Sequence, residues 1–240
     1  CIRDSRKIIL IDTIKQCGPD ILGVQECLDF QAVYIAQELP AYRWIGIGCD
    51  TDGSGEMVAI FYKKKRLVPI ESGNFWLSEH PEAPGSVSWD SSLTRMATWV
   101  KFHAPEAGRF FYAFNTHFDH RGAEARRQSA VLLAERIERF GADCPVILMG
   151  DFNARAGQSA PWDVLTASGL VDAWVAAEQR EGPADTFGGW KAPDPKADAR
   201  IDWILCRGPI TVQRCATVTH NEDGRYPSDH LPVLAELTLK

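Results

Sequence analysis

Short apolar segments separated by polar turns recur along most of the chain and predict about ten β-strands. Several alternate apolar and polar residues, as expected when one face of a strand is buried. Residues 95–103 and 109–117 are joined by the turn-forming sequence APEAG, which predicts an antiparallel hairpin. The other predicted strands are DILGVQE at 20–26, RWIGIG, EMVAIFYK, RLVPIESGNFWLS, PVILMG, RIDWILC, TVQRCATV and HLPVLAELTL.

Apolar residues at helical spacing predict four helices, over 6–16, 30–39, 123–139 and 161–168. Ser5 is a good N-cap for the first helix, and Gly18-Pro19 ends it, as Pro40 ends the second. The third helix carries four apolar residues on one face: Ala130, Leu133, Ala134 and Ile137. The stretches 79–92 and 178–199 are predicted as long loops.

This balance of strands and helices predicts an α/β fold. We expect a single domain over residues 1–240, because no repeat or low-complexity linker divides the chain. Two mainly antiparallel β-sheets packed face to face, with helices outside, bury this many strands best.

Ionisable and amide side chains lie where the predicted strands end or begin. Asp151 and Asn153 follow PVILMG two residues apart, a spacing that puts both side chains on one face of extended backbone. One such residue is usually a cap or turn residue. Several like charges at one rim repel one another unless a cation or substrate joins them. The full set is Glu26, His117, Asp151, Asn153, Asp202, Asp229 and His230.

These side chains favour one kind of chemistry. The carboxylates and the amide are hard oxygen donors, which suit Mg²⁺ or Mn²⁺ better than zinc. Histidines beside them suit stabilising a phosphoryl oxygen or moving protons near neutral pH. The pattern therefore predicts metal-assisted hydrolysis of a phosphate ester by water. A glycosidase would not need the amide or the Asp-His pair, and a serine hydrolase lacks its G-x-S-x-G signal.

Composition narrows the choice of partner. The formal net charge is −6 over 240 residues, and a protein that grips extended duplex DNA usually carries a basic footprint. No stretch approaches the roughly 20 apolar residues of a membrane span. We therefore expect a soluble protein, cytoplasmic or exported after signal removal, with a phosphate-ester substrate and no membrane partner. The seven cysteines are scattered without a C-x-x-C pair and predict free thiols.

The motifs resemble a known family. DILGVQE, NTHFDHRG, GDFNA, RIDWIL and PSDHLPV follow the order of the endonuclease/exonuclease/phosphatase superfamily, from about residue 20 to 232. The resemblance implies a DNase I-like, four-layer α/β sandwich with its site at one rim. It also implies Glu26 as a metal ligand, supported on the metal side by Asp229. NTHFDHRGAEARRQSA and GNFWLSEHPEAPGSVSWD are similar to a mainly bacterial branch, nearer the deadenylase-like members.

The resemblance also implies catalytic roles. Asp151 would orient or deprotonate the attacking water, and Asn153 would help to hold the water and the phosphate. His230, paired with Asp202, would bind the phosphate. His117 would contact the phosphate and assist the leaving group.

Two sets of loop residues can each be interpreted in two ways. Asp119, His120 and Arg121 are candidate substrate-binding residues, although Arg121 could equally form a surface salt bridge. Four loop aromatics could wall the pocket or fill the core beneath the loops: Trp76, Trp89, Phe187 and Trp190.

The start of the chain departs from the family pattern. Family members normally begin with a strand that carries a metal-site asparagine, whereas these residues begin CIRDSRKIIL, at the first predicted helix. We expect the first strand to be absent from these residues but present in the protein. A protein truly without it would be a catalytically silent module that binds a phosphorylated ligand.

Overall fold

The computed structural model describes residues 2–141, 143–194 and 196–240, with side chains from Arg6 onward. Its helices are α1 (Ile2–Cys17), α2 (Asp29–Glu38), α3 (Ala123–Glu138), α4 (Ala160–Ala167) and α5 (Ala173–Ala176). Its strands are β1 (Ile21–Gly23), β2 (Tyr42–Ile45), β3 (Ile60–Lys63), β4 (Val68–Trp76), β5 (Met96–Ala104), β6 (Arg109–His117), β7 (Val146–Asp151), β8 (Val171–Asp172), β9 (Gln179–Glu181), β10 (Asp202–Arg207), β11 (Ile210–Thr217) and β12 (Val233–Leu239).

The strands form one large and two small sheets. The large sheet has six strands in the order β4-β5-β6-β7-β10-β8, and the small ones have the orders β1-β3-β2 and β12-β11-β9. Strand pairs are antiparallel except β6–β7 and β9–β11. The predicted hairpin is confirmed as β5 and β6, which pair antiparallel from Ala97–Thr116 to Ala104–Arg109.

Four layers of structure stack on one another, which confirms the predicted sandwich. Helices α3 and α4 cover one face of the six-stranded sheet through a core that includes Leu133 and Leu165. Both small sheets pack on the opposite face, the first through Ile60 and the second through Cys215. Helices α1 and α2 cover the outer side of the β1-β3-β2 sheet. The second β layer thus consists of two three-stranded sheets within the described residues.

Strand register brings the site together. In the parallel pair β6–β7, His117 lies beside Asp151, and in the antiparallel pair β7–β10, Asp202 lies on the other side of Asp151. Gly150 permits this close pairing, because a Cβ there would lie 2.2 Å from the carbonyl oxygen of Thr116. Three adjacent strands therefore deliver their polar residues to one rim of the large sheet.

Some local predictions need correction. Helix α1 begins at Ile2, so Ser5 has helical backbone and is not its N-cap, which requires an extended conformation. The stretch 178–199 is not all loop, because β9 pairs with β11 and its Glu181 forms a two-hydrogen-bond ion pair with Arg214. Its three residues are all exposed and polar, so no apolar pattern could reveal this strand.

Two further predictions concern helices and thiols. Among the described helices, none combines the length and the apolarity that crossing a bilayer requires. The six described cysteines are free thiols, as predicted, and Cys1 lies outside the described residues. The first strand implied by the family resemblance is not among the strands of the described residues and stays a prediction.

Candidate active site

A buried aromatic ring anchors the end of β7. Phe152 is fully buried and stacks on Trp203 of β10, with ring centroids 4.2 Å apart and planes 9° from parallel. Because Phe152 lies between Asp151 and Asn153, its burial fixes both polar neighbours at the rim. Asn153 has a φ of 47°, in the left-handed region that asparagine tolerates better than most residues.

Asp151 presents one oxygen to two histidines. It is only 5% exposed, and its Oδ1 accepts a hydrogen bond from the backbone N–H of Asn153 at 2.8 Å. Its Oδ2 lies 3.4 Å from Nε2 of His117 and 3.8 Å from Nε2 of His230. Asn153 Nδ2 lies 3.1 Å from the same nitrogen of His117 and donates to the carbonyl oxygen of Phe118 at 3.0 Å. Asp151 Oδ2 therefore faces the space between the two imidazole rings.

Arg95, which the sequence pattern does not single out, determines where His117 carries its proton. Arg95 Nη1 lies 2.8 Å from Nδ1 of His117. A guanidinium group can only donate, so Nδ1 accepts and the ring proton sits on Nε2. Burial, and next the charge of Arg95, lower the pKa of His117 well below its ordinary value. His117 is thus neutral, and its Nε2 faces both Asp151 and the amide of Asn153.

His230 has the opposite protonation state. Its Nδ1 lies 2.9 Å from Oδ2 and 3.2 Å from Oδ1 of Asp202. Burial by itself lowers the pKa of His230. The hydrogen bond and charge of Asp202, with the charges of Asp151 and Asp229, outweigh burial and raise the pKa to about 9. His230 therefore carries a positive charge at neutral pH.

The pKa of the Asp151 carboxyl group lies near neutral pH. Burial, and next the charge of Asp202, raise the pKa of Asp151 to about 7, against the opposing effect of His230. A carboxylate poised near neutral pH can accept a proton from water as a general base. The carboxyl group of Asp151 thus lies between a neutral imidazole and a cationic one.

A buried threonine ties the elements of this site together. The hydroxyl oxygen of Thr186 accepts from the backbone N–H groups of Ile201 and Asp202 at 3.0 and 3.1 Å. The carbonyl oxygen of Thr186 accepts from the N–H of Leu231 at 2.7 Å. Thr186 therefore fixes Asp202 and the segment that carries His230 relative to each other. Sequence reasoning missed Thr186, since a threonine in a loop carries no distinguishing signal.

Glu26 belongs to a second group of potential ligands. Glu26, Glu56 and His117 offer ligand atoms within 4.8 Å of one another, as Asp151, Asp202 and His230 do. Glu26 and Glu56 each directly precede a residue of the bridge between Cys27 and Met57, which brings the two carboxylates together. Burial, and next the charge of Glu26, raise the pKa of Glu56.

Sequence reasoning missed Glu56, although a carboxylate just before the apolar run MVAIFYK gives the same strand-boundary signal as the others. The donors of the two groups are carboxylate oxygens and imidazole nitrogens, a set that fits a hard divalent cation. Asp229 belongs to neither group of potential ligands among the described residues. Its Oδ1 lies 3.3 Å from the hydroxyl of Ser228, and its role on the metal side stays a prediction.

Asp119 occupies a different position from the one expected of a substrate-binding residue. It is 1% exposed and accepts five hydrogen bonds from the 92–93 and 121–122 segments. Burial alone would raise the pKa of Asp119, but the hydrogen bonds from Gly122, Ser92 and Arg121 lower it. Asp119 therefore joins two loops beside the site, because both of its oxygens are occupied within the protein.

The next two residues of this loop face outward. His120 and Arg121 are exposed, and Nδ1 of His120 lies 3.4 Å from Nη2 of Arg95. Within the described part of the chain the Arg121 side chain has no ion pair, so the surface salt bridge is not found there. Both side chains remain candidates for contacts with a substrate.

The structure separates the four loop aromatics. Trp76 is buried in the core, and Trp89 is half-buried. Phe187 is 48% exposed, with its ring edge-on to that of His230 at a centroid distance of 5.0 Å. Trp190 is 42% exposed and is covered on one face by the guanidinium of Arg6 at 3.7 Å. Phe187 is thus the aromatic residue that adjoins the site.

Structures of similar proteins from bacteria and from animals have been solved. A mannosyl-6-phosphatase from Bacteroides thetaiotaomicron is 33% identical, with a TM-score of 0.91 over 98% of this chain and 91% of that chain. A Bacteroides vulgatus endonuclease/exonuclease/phosphatase is 35% identical, with a TM-score of 0.92 over 98% of this chain and 90% of that chain. The catalytic domain of human Nocturnin shares the fold at 21% identity and a TM-score of 0.75, over 99% of this chain and 87% of that one.

Curated relatives are more distant in sequence. Nocturnin of Drosophila melanogaster is 22% identical over 282 residues, which cover 98% of this chain and 42% of that protein. Protein angel from the same organism is 24% identical over 74% of this chain and 53% of its own length. The chain thus spans about half the length of the curated relatives it matches.

The family model described as the Endonuclease/Exonuclease/phosphatase family matches residues 3–230. That match includes the strand ends that carry Asp151, Asp202 and His230, and it agrees with the bacterial relatives and the four-layer fold. The chain therefore belongs to the endonuclease/exonuclease/phosphatase family.

Proposed function

We propose that this protein is a divalent-cation-dependent phosphomonoesterase that hydrolyses a small sugar phosphate by attack of an activated water. The observation that carries the proposal is the position of Asp151 Oδ2, 3.4 Å from the neutral donor His117 and 3.8 Å from the cationic donor His230. A base between two donors of this kind suits a water and a phosphate that meet at one point.

Asp151 acts as the general base. As the water oxygen attacks phosphorus, one of its protons passes to Oδ2, because Oδ1 is already occupied by the N–H of Asn153. The pKa of Asp151, raised to about 7 by burial and the charge of Asp202, makes this transfer favourable at neutral pH. Asn153 holds the turn in place through the carbonyl oxygen of Phe118.

The two histidines stabilise the phosphoryl oxygens in different ways. His230 donates from Nε2 as an imidazolium, with Asp202 holding the ring through Nδ1. The family resemblance implies that His117 assists the leaving group. Because His230 is the imidazolium and therefore the better acid of the two, we propose instead that His230 gives its Nε2 proton to the oxygen of the leaving sugar as the P–O bond breaks. His117 donates from Nε2 as a neutral ring, because Arg95 occupies the other nitrogen. Together they place donors where negative charge develops.

A divalent cation, Mg²⁺ or Mn²⁺, fits the carboxylate donors at this rim, with Glu26 as its first ligand and Asp229 as a supporting residue. When bound, it would neutralise charge on the phosphate and so lower the barrier to attack. Glu26 is exposed and can receive the cation from solvent.

The choice of a small sugar phosphate rests on two supports. A relative at 33% identity is named a mannosyl-6-phosphatase, and the net charge of −6 disfavours a long polynucleotide. The exposed His120 and Arg121 extend from the loop after β6 and are proposed to contact the phosphate or the sugar. Phe187, beside His230, can pack on an apolar face of the sugar ring.

A substrate panel tests this function. It would contain mannose 6-phosphate, p-nitrophenyl phosphate, bis-p-nitrophenyl phosphate and a short RNA, each with Mg²⁺, with Mn²⁺ and with EDTA. We expect cation-dependent release of phosphate from the monoesters and much slower cleavage of the diester and the RNA. Faster cleavage of the diester or RNA would replace the monoesterase by a diesterase or nuclease. Calorimetric binding of a phosphorylated ligand without turnover would instead favour the silent binding module.

A further inference from the structure

A small cavity next to the proposed base is lined by two carboxylates and one arginine. Glu26, Glu56, Arg95 and His117 all contribute to its wall, and its volume is about 10 Å³. A space of this size holds about one water molecule or one small ion. It lies on the β1–β3 side of the site, whereas Asp151 and Asp202 belong to the six-stranded sheet.

The charges around this cavity do not balance without a cation. Glu26 and Glu56 offer ligand oxygens within 4.8 Å of each other, and two carboxylates so close repel unless positive charge lies between them. His117 cannot supply that charge, since Arg95 already donates to its Nδ1 and the ring is neutral. Arg95 offsets one of the two negative charges and leaves the other unmatched.

Arg95 supplies an independent sign that this cavity binds a ligand. The residue is 6% exposed, and its Nε has no hydrogen-bond partner among the described residues. A buried unpartnered donor is costly, so an acceptor is expected beside this residue, which lines the cavity. An oxygen of a bound phosphate would provide such an acceptor, and a divalent cation on the two carboxylates would give Glu26, Glu56 and Arg95 together a net positive charge.

We propose that Glu56 is a second carboxylate ligand of the catalytic cation and shares that cation with Glu26. The proposal rests on the cation-dependent function above and adds to it a residue from the β3 side of the site. In this arrangement the antiparallel approach of β1 and β3 makes the cation site, with one ligand from each segment next to the Cys27–Met57 bridge.

Binding of Mn²⁺, followed by electron paramagnetic resonance and calorimetry without substrate, tests the proposal. We expect Glu26→Gln and Glu56→Gln each to weaken the Mn²⁺ dissociation constant at least tenfold. Glu38→Gln, which changes an exposed glutamate at the end of α2, should leave it unchanged. Circular dichroism and the thermal midpoint of each variant establish that it is folded.

Glu56→Asp separates ligation from general electrostatics, because it keeps the charge but draws the carboxylate back by one methylene. We expect it to weaken Mn²⁺ binding severalfold. Wild-type affinity in Glu56→Asp, or in Glu56→Gln while Glu26→Gln loses binding, would overturn the role of Glu56 and leave the proposed function intact. A wild-type protein that binds no Mn²⁺ would overturn both proposals.

Discussion

Substitution of Asp202 by asparagine should remove the positive charge from His230. Asp202 lies 2.9 Å from Nδ1 of His230, and its hydrogen bond and charge are the main causes that raise the pKa of His230 against burial. In Asp202→Asn the hydrogen bond loses its charge, while burial of the ring persists. We therefore expect the pKa of His230 to fall from about 9 toward or below its ordinary 6.5.

The size of the effect follows from the pKa. Each pKa unit corresponds to about 1.4 kcal/mol, so a rise from 6.5 to about 9 represents roughly 3 kcal/mol of preference for the imidazolium. This contribution to stability is fully present below pH 6.5 and is lost as the pH rises through about 9, because the folded state holds the proton more tightly. At pH 8 the charged fraction of His230 should fall from roughly 90% to a few per cent.

Proton NMR titration of the metal-free protein measures this directly. The His230 ring signal is assigned by its absence in His230→Gln, and Asp163→Asn on α4 serves as a matched control away from the site. The alkaline limb of kcat/KM should move to lower pH in Asp202→Asn, with a loss of about 10- to 100-fold at pH 8, as for one charge-assisted hydrogen bond. If His230 titrates at the same pH in Asp202→Asn as in the wild type, Asp202 does not set its charge and the assignment fails.

Three further predictions concern the same rim and its support. Asp151→Asn should lower kcat by about 10²- to 10⁴-fold, because a general base is lost, and wild-type turnover would exclude Asp151 as the base. The thermal midpoint of this variant at pH 8 should match or exceed that of the wild type, because burial disfavours the carboxylate. Gly150→Ala should lower the free energy of unfolding in urea by about 1–3 kcal/mol and also reduce kcat, because the new Cβ would lie 2.2 Å from the Thr116 carbonyl oxygen. Unchanged values would show that β6 and β7 separate easily. Asp172→Ala should lower the free energy of unfolding by about 3–5 kcal/mol, because it leaves the buried guanidinium of Arg200 without the carboxylate that lies 2.7 Å from it. A decrease of less than about 1 kcal/mol would mean that water replaces this carboxylate.

Local patterns predicted much of the fold because they report which face of each element is buried. The helix over 123–139 corresponds to α3, and its apolar residues Ala130, Leu133 and Ile137 are all buried against the large sheet. The predicted strand PVILMG forms β7, which begins and ends one residue later than predicted. By contrast, β9 forms because β11 and Arg214 pair with it, and its own exposed residues have no apolar pattern that would predict a strand.

The candidate site likewise contains residues that local patterns predict and residues that they do not. Residue type and position at a strand boundary were enough to select Asp151, Asp202 and His230, since sheet topology gathers the ends of neighbouring strands at one rim. The same rule applied to the start of the apolar run MVAIFYK would have selected Glu56. Asp119 was expected instead to bind substrate from a loop, and its burial under five hydrogen bonds depends on two loops that meet only in the folded chain.

The sequence by itself therefore determined the elements, their order and the kind of donor at each strand boundary, because hydrophobic periodicity and residue chemistry are local properties. Only the tertiary structure decided the protonation states. His117 is neutral because it is buried and because Arg95, 22 residues away, donates to its Nδ1, and His230 is charged because Asp202, 28 residues away, accepts from it. Protonation depends on burial and on nearby charges, and both are set by segments that meet only when the chain folds.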